Sequence, residues 1–370
     1  MKSRWVFASF LLFAVTLTSF ACQPKEVKSE EPVIEPSAQA TPRNNEPITI
    51  AAVGDIMLAS TFPNESRMPP NDGADLLKDV TPILSAADVA FGNLEGPIID
   101  GGVSAKCRPG STRCFSFRTP TRYGKYFKDA GFDMLSVANN HAGDFGLPGR
   151  ASTQRVLDEL GIKYAGSFDP PATIAYLTVR GKQVALVAFG HNRGMPSVTD
   201  LAAARQLVQE ADKKADIVIV SFHGGAEGTD KQRVPNATEM FLGENRGNLP
   251  AFSKAVIDAG ADIVLGHGPH VMRGIEIYKE RLIAYSLGNF ATYGWFQLAG
   301  ETGMSLILEA KLDADGKFLG GKINSVRLEG RGIPMLDPTG ASIRLVRNLS
   351  NMDFGQNAPK ISDDGTISAP

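Results

Sequence analysis

The chain has 370 residues, of which 43% are hydrophobic and 21% are charged. This is enough to bury at least one full hydrophobic core, which excludes a peptide or a wholly disordered chain. Its 38 basic and 40 acidic residues almost cancel, which argues against a general nucleic-acid binder, and its three cysteines exclude a disulfide scaffold.

Residues 1–21 have the layout of a secretory signal peptide. Lys2 and Arg4 precede a nearly continuous apolar run, and the small residue Ala21 stands before Cys22. The ending Ser-Phe-Ala-Cys resembles a bacterial lipobox, which predicts cleavage before Cys22 and acylation of its thiol. An ordinary signal peptide and an uncleaved membrane anchor are the alternatives.

Three further regions follow along the chain. Residues 22–45 are rich in Pro, Glu, Lys and Ser, which predicts a lipid-anchored flexible linker. We expect the folded domain over residues 46–330. A C-terminal extension over residues 331–370 follows, and we expect its polar end to be partly loose.

Export from the cell also affects whether two of the cysteines form a disulfide. An oxidising compartment allows a disulfide between Cys107 and Cys114. We favour this bridge because Pro109 and Gly110 turn the chain back between the two cysteines. Two free thiols are the alternative.

The domain shows an α/β pattern of apolar strands that end abruptly in polar residues. The predicted strands are Ile48–Val53, Asp88–Phe91, Phe132–Ala138, Asp216–Phe222 and Asp262–Leu265, with helices predicted over 149–160, 200–215 and 250–259. Continuous apolar strands indicate burial on both faces. Two hairpins, over 173–189 and 274–286, and two strands, near 304–312 and 317–328, add to this pattern. We therefore expect two stacked sheets with helices outside.

Polar side chains at the strand ends give the strongest functional signal. Four of the five histidines follow predicted strands, together with carboxylate and amide side chains; the set is Asp55, Glu95, Asn140, His141, His223, His267 and His270. Ligands of α/β folds gather beyond the carboxyl ends of the strands, so we expect these side chains to meet in one cleft. Carboxylates and imidazoles without thiolates suit a divalent Zn, Mn or Fe ion rather than a structural cysteine-type zinc site.

Five segments resemble one bacterial family. They are AAVGDIMLA (51–59), ADVAFGNLEGPI (87–98), GFDMLSVANNHAGDFG (131–146), VSFHGGAE (220–227) and GADIVLGHGPHVMRGIEIYKERLIAYSLGNF (260–290). Their order and spacing resemble the capsule-synthesis CapA family, also called the poly-gamma-glutamate capsule biosynthesis family. That family is similar to the calcineurin-like metallophosphoesterases. The resemblance therefore implies a four-layer α/β/β/α sandwich with a metal centre.

The resemblance also implies roles for individual residues. Metal ligands would be Asp55, Glu95, Asn140, His223, His267 and His270, and His141 would protonate the leaving group. The sequence departs from the phosphoesterase pattern at Met57, which stands where that pattern has a histidine ligand. One extra residue also separates His267 from His270. One or two ions are therefore both compatible with the sequence.

Polar residues near these motifs suggest substrate contacts. We expect Arg273 to hold an anionic substrate group by paired hydrogen bonds, with a surface salt bridge as the alternative. We expect Glu227 to position water or a polymer amine, and Asp144 to cap the turn after His141. His191 also follows a strand, but it lies in none of the matching segments.

Three functions remain open at this point. The first is a metal-dependent hydrolase or transferase acting on an anionic envelope polymer such as poly-gamma-glutamate. The second is a non-catalytic subunit that binds the polymer or a membrane-bound capsule synthase during export, and the third is a phosphoesterase. We expect an exported protein, anchored by lipid on the periplasmic face or the cell surface, that binds no nucleic acid.

Overall fold

The computed structural model describes residues 46–108 and 114–370. The predicted signal peptide, the predicted lipidation site Cys22 and the predicted linker lie outside these residues. Within the described ranges, no helix combines the length and the apolar character that a membrane span requires.

Strands and helices alternate along most of the domain. The strands are β1 (Ile48–Met57), β2 (Val89–Leu94), β3 (Met134–Ser136), β4 (Lys163–Ala165), β5 (Ser167–Phe168), β6 (Pro171–Ala172), β7 (Ile174–Val179), β8 (Lys182–Gly190), β9 (Ile217–His223), β10 (Met240–Phe241), β11 (Glu244–Asn245), β12 (Ile263–His267), β13 (Ile275–Tyr278), β14 (Arg281–Ala284), β15 (Asn289–Thr292), β16 (Met304–Leu312), β17 (Phe318–Glu329), β18 (Ile333–Leu336), β19 (Lys360–Ile361) and β20 (Thr366–Ser368). The α-helices are α1 (Thr81–Leu84), α2 (Gly124–Asp129), α3 (Gly146–Leu160), α4 (Leu201–Asp212), α5 (Leu249–Ile257) and α6 (Ala341–Phe354).

Two large sheets organise these strands. The first has the order β19-β20-β17-β16-β1-β2-β3-β4, with β15 also paired to β1 and β18 also paired to β17. The second has the order β13-β14-β12-β9-β8-β7. The strands β1 to β4 run parallel, and so do β8, β9, β12 and β14. Their carboxyl ends carry the candidate site.

Apolar side chains form three layers of core. The middle layer lies between the sheets and includes Ile50 and Phe91 from the first sheet and Leu186 and Ile219 from the second. One outer layer packs α2 and α3 on the first sheet, and the other packs α4 and α5 on the second. This is a four-layer α/β/β/α sandwich, which confirms the predicted fold class. Each predicted strand is present with ends shifted by a few residues.

The C-terminal region differs from the sequence-based expectation. We expected the end of the 331–370 extension to be partly loose, but α6 packs against β13 and β17, and β20 pairs with β17. Ile367 is almost completely buried in the core between the sheets. Short strands within a polar segment give too weak a periodic signal to be predicted from the sequence. This region is an integral edge of the first sheet.

We predict that Ile367→Ala lowers the free energy of unfolding by about 2–5 kcal/mol, because it removes buried methyl groups and leaves a cavity. Urea unfolding followed by circular dichroism measures this change. The matched control is Ser368→Ala at the neighbouring exposed position, which we expect to change stability by less than about 0.5 kcal/mol. Equal stabilities for the two variants would mean that the C-terminal strand is not part of the cooperative fold.

Candidate metal centre

Asp55 lies in the middle of a polar row across the first sheet. Its neighbours in register are Asn93 on β2 and Asn289 at the start of β15. Asn93 donates a hydrogen bond from Nδ2 to Asp55 Oδ1 at 2.8 Å. Asp55 is fully buried, so this amide replaces part of the solvation that its carboxylate loses.

A close approach between two glycines positions this row. The strand β1 pairs with β16 up to Val53 and with β15 from Asp55 onward. At this change of partner, a Cβ atom on Gly54 would lie 2.0 Å from the carbonyl oxygen of Gly288. The same carbonyl accepts a hydrogen bond from the Asp55 backbone N–H at 2.9 Å. Glycine is therefore required before Asp55, and the Gly-Asp pair of the sequence has a steric cause.

Glu95 supplies the second buried carboxylate. Its backbone N–H donates to the carbonyl of Ile56 at 2.9 Å, which fixes the residue beside β1. Both side-chain oxygens are buried and accept no hydrogen bond from the described residues. Burial raises the pKa of Glu95 to about 8, although the charge of nearby His270 opposes this effect. The carboxylate thus lacks the donors that normally accompany a buried charge.

His270 brings an imidazole from the second sheet to these carboxylates. Its Nδ1 lies 3.0 Å from Asp55 Oδ2 and 3.1 Å from Asn289 Oδ1, and its Nε2 lies 3.6 Å from Glu95 Oε1. Burial alone would lower the pKa of His270, but Glu95 and Asp55 outweigh burial and raise it to about 10. The backbone of His270 has φ 59°, a left-handed conformation that is uncommon outside glycine and is found at functional sites.

His223 lies at the end of β9, close to the same cluster. It is fully buried, and its ring centroid lies 6.3 Å from that of His270. Its Nε2 has no hydrogen-bond partner among the described residues. Burial, reinforced by nearby His191, lowers the pKa of His223 well below its usual value, so the ring is neutral at physiological pH. A neutral imidazole with a free nitrogen is the form that binds metals.

The residues at this site fit a divalent metal ion. Asp55, Glu95 and His270 each offer a ligand atom, and these atoms lie within 4.8 Å of one another. Several buried polar atoms at this site have no hydrogen-bond partner among the described residues; they are Asp55 Oδ2, both Glu95 oxygens and His223 Nε2. Asn140 Oδ1 also lacks a partner within these residues, so the predicted role of Asn140 as a ligand stays a prediction. A buried polar atom without a partner destabilises the folded protein unless an ion or a water molecule binds to it. The oxygen and nitrogen donors suit Zn, Mn or Fe, as the sequence predicts.

His267 does not join this cluster, contrary to our expectation of a metal ligand. Its Nε2 lies 3.1 Å from the backbone carbonyl of Val53 and donates to it, and its Nδ1 lies 3.5 Å from Ser221 Oγ. Its ring packs edge-on against Phe91 in the layer between the sheets. Alternation along β12 turns this side chain into the core, and only the loop beyond it returns His270 to the site.

His141 and Asp144 form a hydrogen-bonded pair beside the cluster. Nδ1 of His141 lies 2.8 Å from Asp144 Oδ2, and Phe117 stacks on the imidazole with ring centroids 3.8 Å apart. Burial lowers the pKa of His141, and the hydrogen bond to Asp144 opposes this shift. We expected Asp144 to cap the turn; it instead accepts from His141 and from the backbone N–H of Phe117. The pair holds the imidazole in one orientation.

A disulfide-linked segment borders this pair. The structure joins Cys107 to Cys114, with Cα atoms 5.6 Å apart, which is the pairing that the sequence favours. The adjacent Lys106 places its Nζ 3.3 Å from His141 Nδ1 and 3.4 Å from Asp144 Oδ1. Lys106 could not be predicted as a site residue, because nothing in the local sequence pattern indicates this contact.

Arg273 does not contact the cluster, contrary to the predicted substrate role. Its guanidinium is buried and donates to both carboxylate oxygens of Glu239 at 2.8 Å. Its Nε donates to the carbonyl of Lys231, and Nη2 donates to the carbonyl of Ala226. These bonds occupy the side chain, so Arg273 supports the loop that carries Glu227. The ion pair between Arg273 and Glu239 is buried, whereas the alternative from the sequence was a salt bridge at the surface.

Glu227 and His191 lie at the edge of the site. Glu227 accepts a hydrogen bond from Arg246 at 2.9 Å, and its charge contributes to the raised pKa of His270. His191 places its Nδ1 3.3 Å from the carbonyl of His223, with ring centroids 6.1 Å apart. His191 follows β8, as the strand-end pattern of the sequence indicates, and the pairing of Gly190 in register with His223 brings the two histidines together.

Comparison with known proteins identifies the family. Residues 49–293 match the family described as bacterial capsule synthesis protein PGA_cap. The chain belongs to this family. It is 31% identical over 272 residues to the capsule biosynthesis protein CapA of Bacillus anthracis, a match covering 68% of this chain and 62% of that protein. It is 32% identical over 265 residues to the PGA biosynthesis protein CapA of Bacillus subtilis (strain 168), covering 67% and 64% respectively.

The PGA_cap match includes every residue of the candidate metal centre, from Asp55 to Asn289, whereas β16 to β20 and α6 lie beyond it. The chain spans less than two thirds of each of the two Bacillus proteins. A solved structure described as a novel phosphatase from Mycoplasma pneumoniae is also similar, at 12% identity and a TM-score of 0.48, over 80% of this chain and 96% of that one.

We predict that Glu95→Gln weakens the binding of Mn²⁺ or Zn²⁺, because it removes a carboxylate ligand without changing the shape of the side chain. Loss of a residue that only supports a ligand lowers metal affinity by roughly 10- to 100-fold, and we expect a larger effect here. Isothermal titration calorimetry of the chelator-treated protein measures the affinity. Glu239→Gln is the control, because this glutamate pairs with Arg273 away from the cluster. Equal metal affinity in wild type and Glu95→Gln would remove Glu95 from the ligand set.

Proposed function

We propose that this protein is a metal-dependent hydrolase or transferase acting on an anionic polymer of the bacterial cell envelope, in capsule or poly-gamma-glutamate biosynthesis. The observation that carries the proposal is the convergence of buried, unsatisfied metal-ligand atoms from both sheets around Asp55, Glu95 and His270. The names of the two Bacillus relatives support the biosynthetic context.

The chain's own residues support an acid–base role beside the metal. A bound divalent ion would supply Lewis-acid polarisation of a carbonyl or phosphoryl oxygen. His141 gives its Nδ1 proton to the hydrogen bond with Asp144, which leaves Nε2 as the nitrogen that exchanges a proton with substrate. In amide hydrolysis the oxygen of water joins the carbonyl carbon and the C–N bond breaks. His141 Nε2 accepts a proton from that water and passes it to the departing nitrogen, so the imidazole ends in the state in which it began.

A non-catalytic subunit is the second candidate. Met57 is fully buried at the position where the phosphoesterase pattern has a histidine ligand, and a thioether is a poor ligand for a hard or borderline ion. A site with fewer ligands would favour binding of the polymer, or of a membrane-bound synthase, without turnover. The assay below separates the two candidates, and phosphoester substrates tested in parallel address the phosphoesterase alternative.

We predict that the metal-loaded full-length protein shortens poly-gamma-glutamate and that His141→Ala lowers the rate by about 10²- to 10⁴-fold, the range for loss of a general acid. Size-exclusion chromatography and titration of new amino groups measure cleavage. Metal content and polymer affinity of His141→Ala should equal those of wild type. A metal-loaded wild type that binds polymer and cleaves neither polymer nor phosphoesters would establish the non-catalytic candidate instead.

We also propose that the protein is exported and held at the envelope by acylated Cys22, since the lipobox-like ending precedes a linker-like segment. We predict that Cys22→Ser moves the protein from the membrane fraction to the soluble fraction after cell lysis. Immunoblotting of both fractions and incorporation of labelled palmitate measure this change. Cys107→Ser is the matched control, and retention of the Cys22→Ser variant in membranes would contradict lipid anchoring.

A further inference from the structure

Arg67 and Arg331 lie close together beside Gly294, where a Cβ atom would be 3.3 Å from Arg67 Cβ and 3.0 Å from Arg331 Nη2. Arg67 donates from Nε to the carbonyl of Gly294 at 3.2 Å, and Arg331 donates from Nη1 to the carbonyl of Ser66 at 2.9 Å. Neither forms an ion pair with a carboxylate among residues 46–108 and 114–370. Both terminal nitrogens of Arg67, and Nη2 of Arg331, have no hydrogen-bond acceptor within these residues. This differs from Arg246 and Arg273, each of which pairs with glutamate.

Among the described residues, these two positive charges have no carboxylate counter-ion. Burial and then the charge of Arg331 lower the pKa of Arg67. Stacking holds the guanidinium of Arg67 in place, because its central carbon lies 3.7 Å from the ring centroid of Trp295. A guanidinium held in this way loses little freedom when it forms paired hydrogen bonds to a carboxylate or phosphate.

An aromatic wall connects this arginine pair to the proposed acid. Trp295 packs against Phe117 with ring centroids 4.9 Å apart, and Phe117 stacks on His141. Phe296, the next residue, contacts His270 with centroids 4.7 Å apart. Arg67 is therefore connected to the proposed proton donor through two ring contacts, Trp295 with Phe117 and Phe117 with His141.

We infer that Arg67 and Arg331 form an anion subsite that binds a carboxylate of the polymer one or more units away from the unit at the metal centre. This inference rests on the proposed function. A polymer with a carboxylate on every unit can place one unit beside His141 and a neighbouring carboxylate at the arginine pair. Two residues from distant parts of the chain would thus bind the anionic group that the sequence predicted for Arg273, whose guanidinium instead pairs with Glu239.

The test measures polymer binding by the full-length protein treated with chelator, using fluorescence anisotropy of a labelled gamma-glutamate oligomer. We expect R67Q/R331Q to raise Kd by about tenfold or more, because two charge-assisted contacts are lost. The control R155Q/R205Q removes the same charge from exposed positions on α3 and α4, and we expect its Kd to stay within about twofold of wild type. Equal effects of the two double variants, or no binding by wild type, would overturn the subsite.

Two further binding measurements test the subsite. R331Q alone changes an exposed side chain and keeps the Arg67–Trp295 contact, so it tests the subsite even if the double variant fails to fold; an unchanged Kd would overturn the inference. A loss of polyphosphate binding without a loss of gamma-glutamate binding would overturn the carboxylate assignment. Polymer binding that depends on the arginine pair, without cleavage by the metal-loaded wild type, would contradict the proposed hydrolase and leave the subsite standing.

Discussion

The structure depends on how two buried carboxylates, Asp55 and Glu95, are neutralised. Both lie out of water near one another, where mutual repulsion and lost solvation are severe. Within the part of the chain that the structure describes, Asn93 donates an amide hydrogen bond to Asp55, and the imidazole of His270 lies between the two carboxylates. Burial raises the pKa of Glu95, and the charges of Glu95 and Asp55 raise the pKa of His270, so both shifts favour retention of a proton at this site. A divalent ion neutralises the carboxylates more fully, since metal binding displaces such protons.

The fold creates this constraint by bringing the ends of two sheets together. β1 changes partner from β16 to β15 at Gly54, which sets Asp55 between two asparagines. β9 and the loop after β12 supply His223 and His270 from the opposite sheet. The left-handed backbone at His270 indicates that the loop is held in an unfavourable conformation by its surroundings. The apolar layers on either side of both sheets hold the strands that carry these groups.

Much of this arrangement could be predicted from the sequence, because local patterns carry it. Apolar runs that end in Asp55, Glu95, His141 and His223 predict both the strands and a shared edge. Side-chain direction could not be predicted: His267 and His270 are three residues apart, yet one points into the core and the other into the site. Contacts that join distant segments were also inaccessible. Ser66 and Arg331 are 265 residues apart, and only the folded chain brings the two arginines together.

The central claim is that the unsatisfied atoms around Asp55, Glu95 and His270 bind a metal ion. A crystal structure of the protein grown with Mn²⁺, with data collected for manganese anomalous scattering, tests it most directly. We expect an anomalous peak at coordination distance from Asp55, Glu95 and His270. A map in which the peak is absent from this cluster, or lies only at surface carboxylates, would contradict the metal site and the chemistry proposed for it.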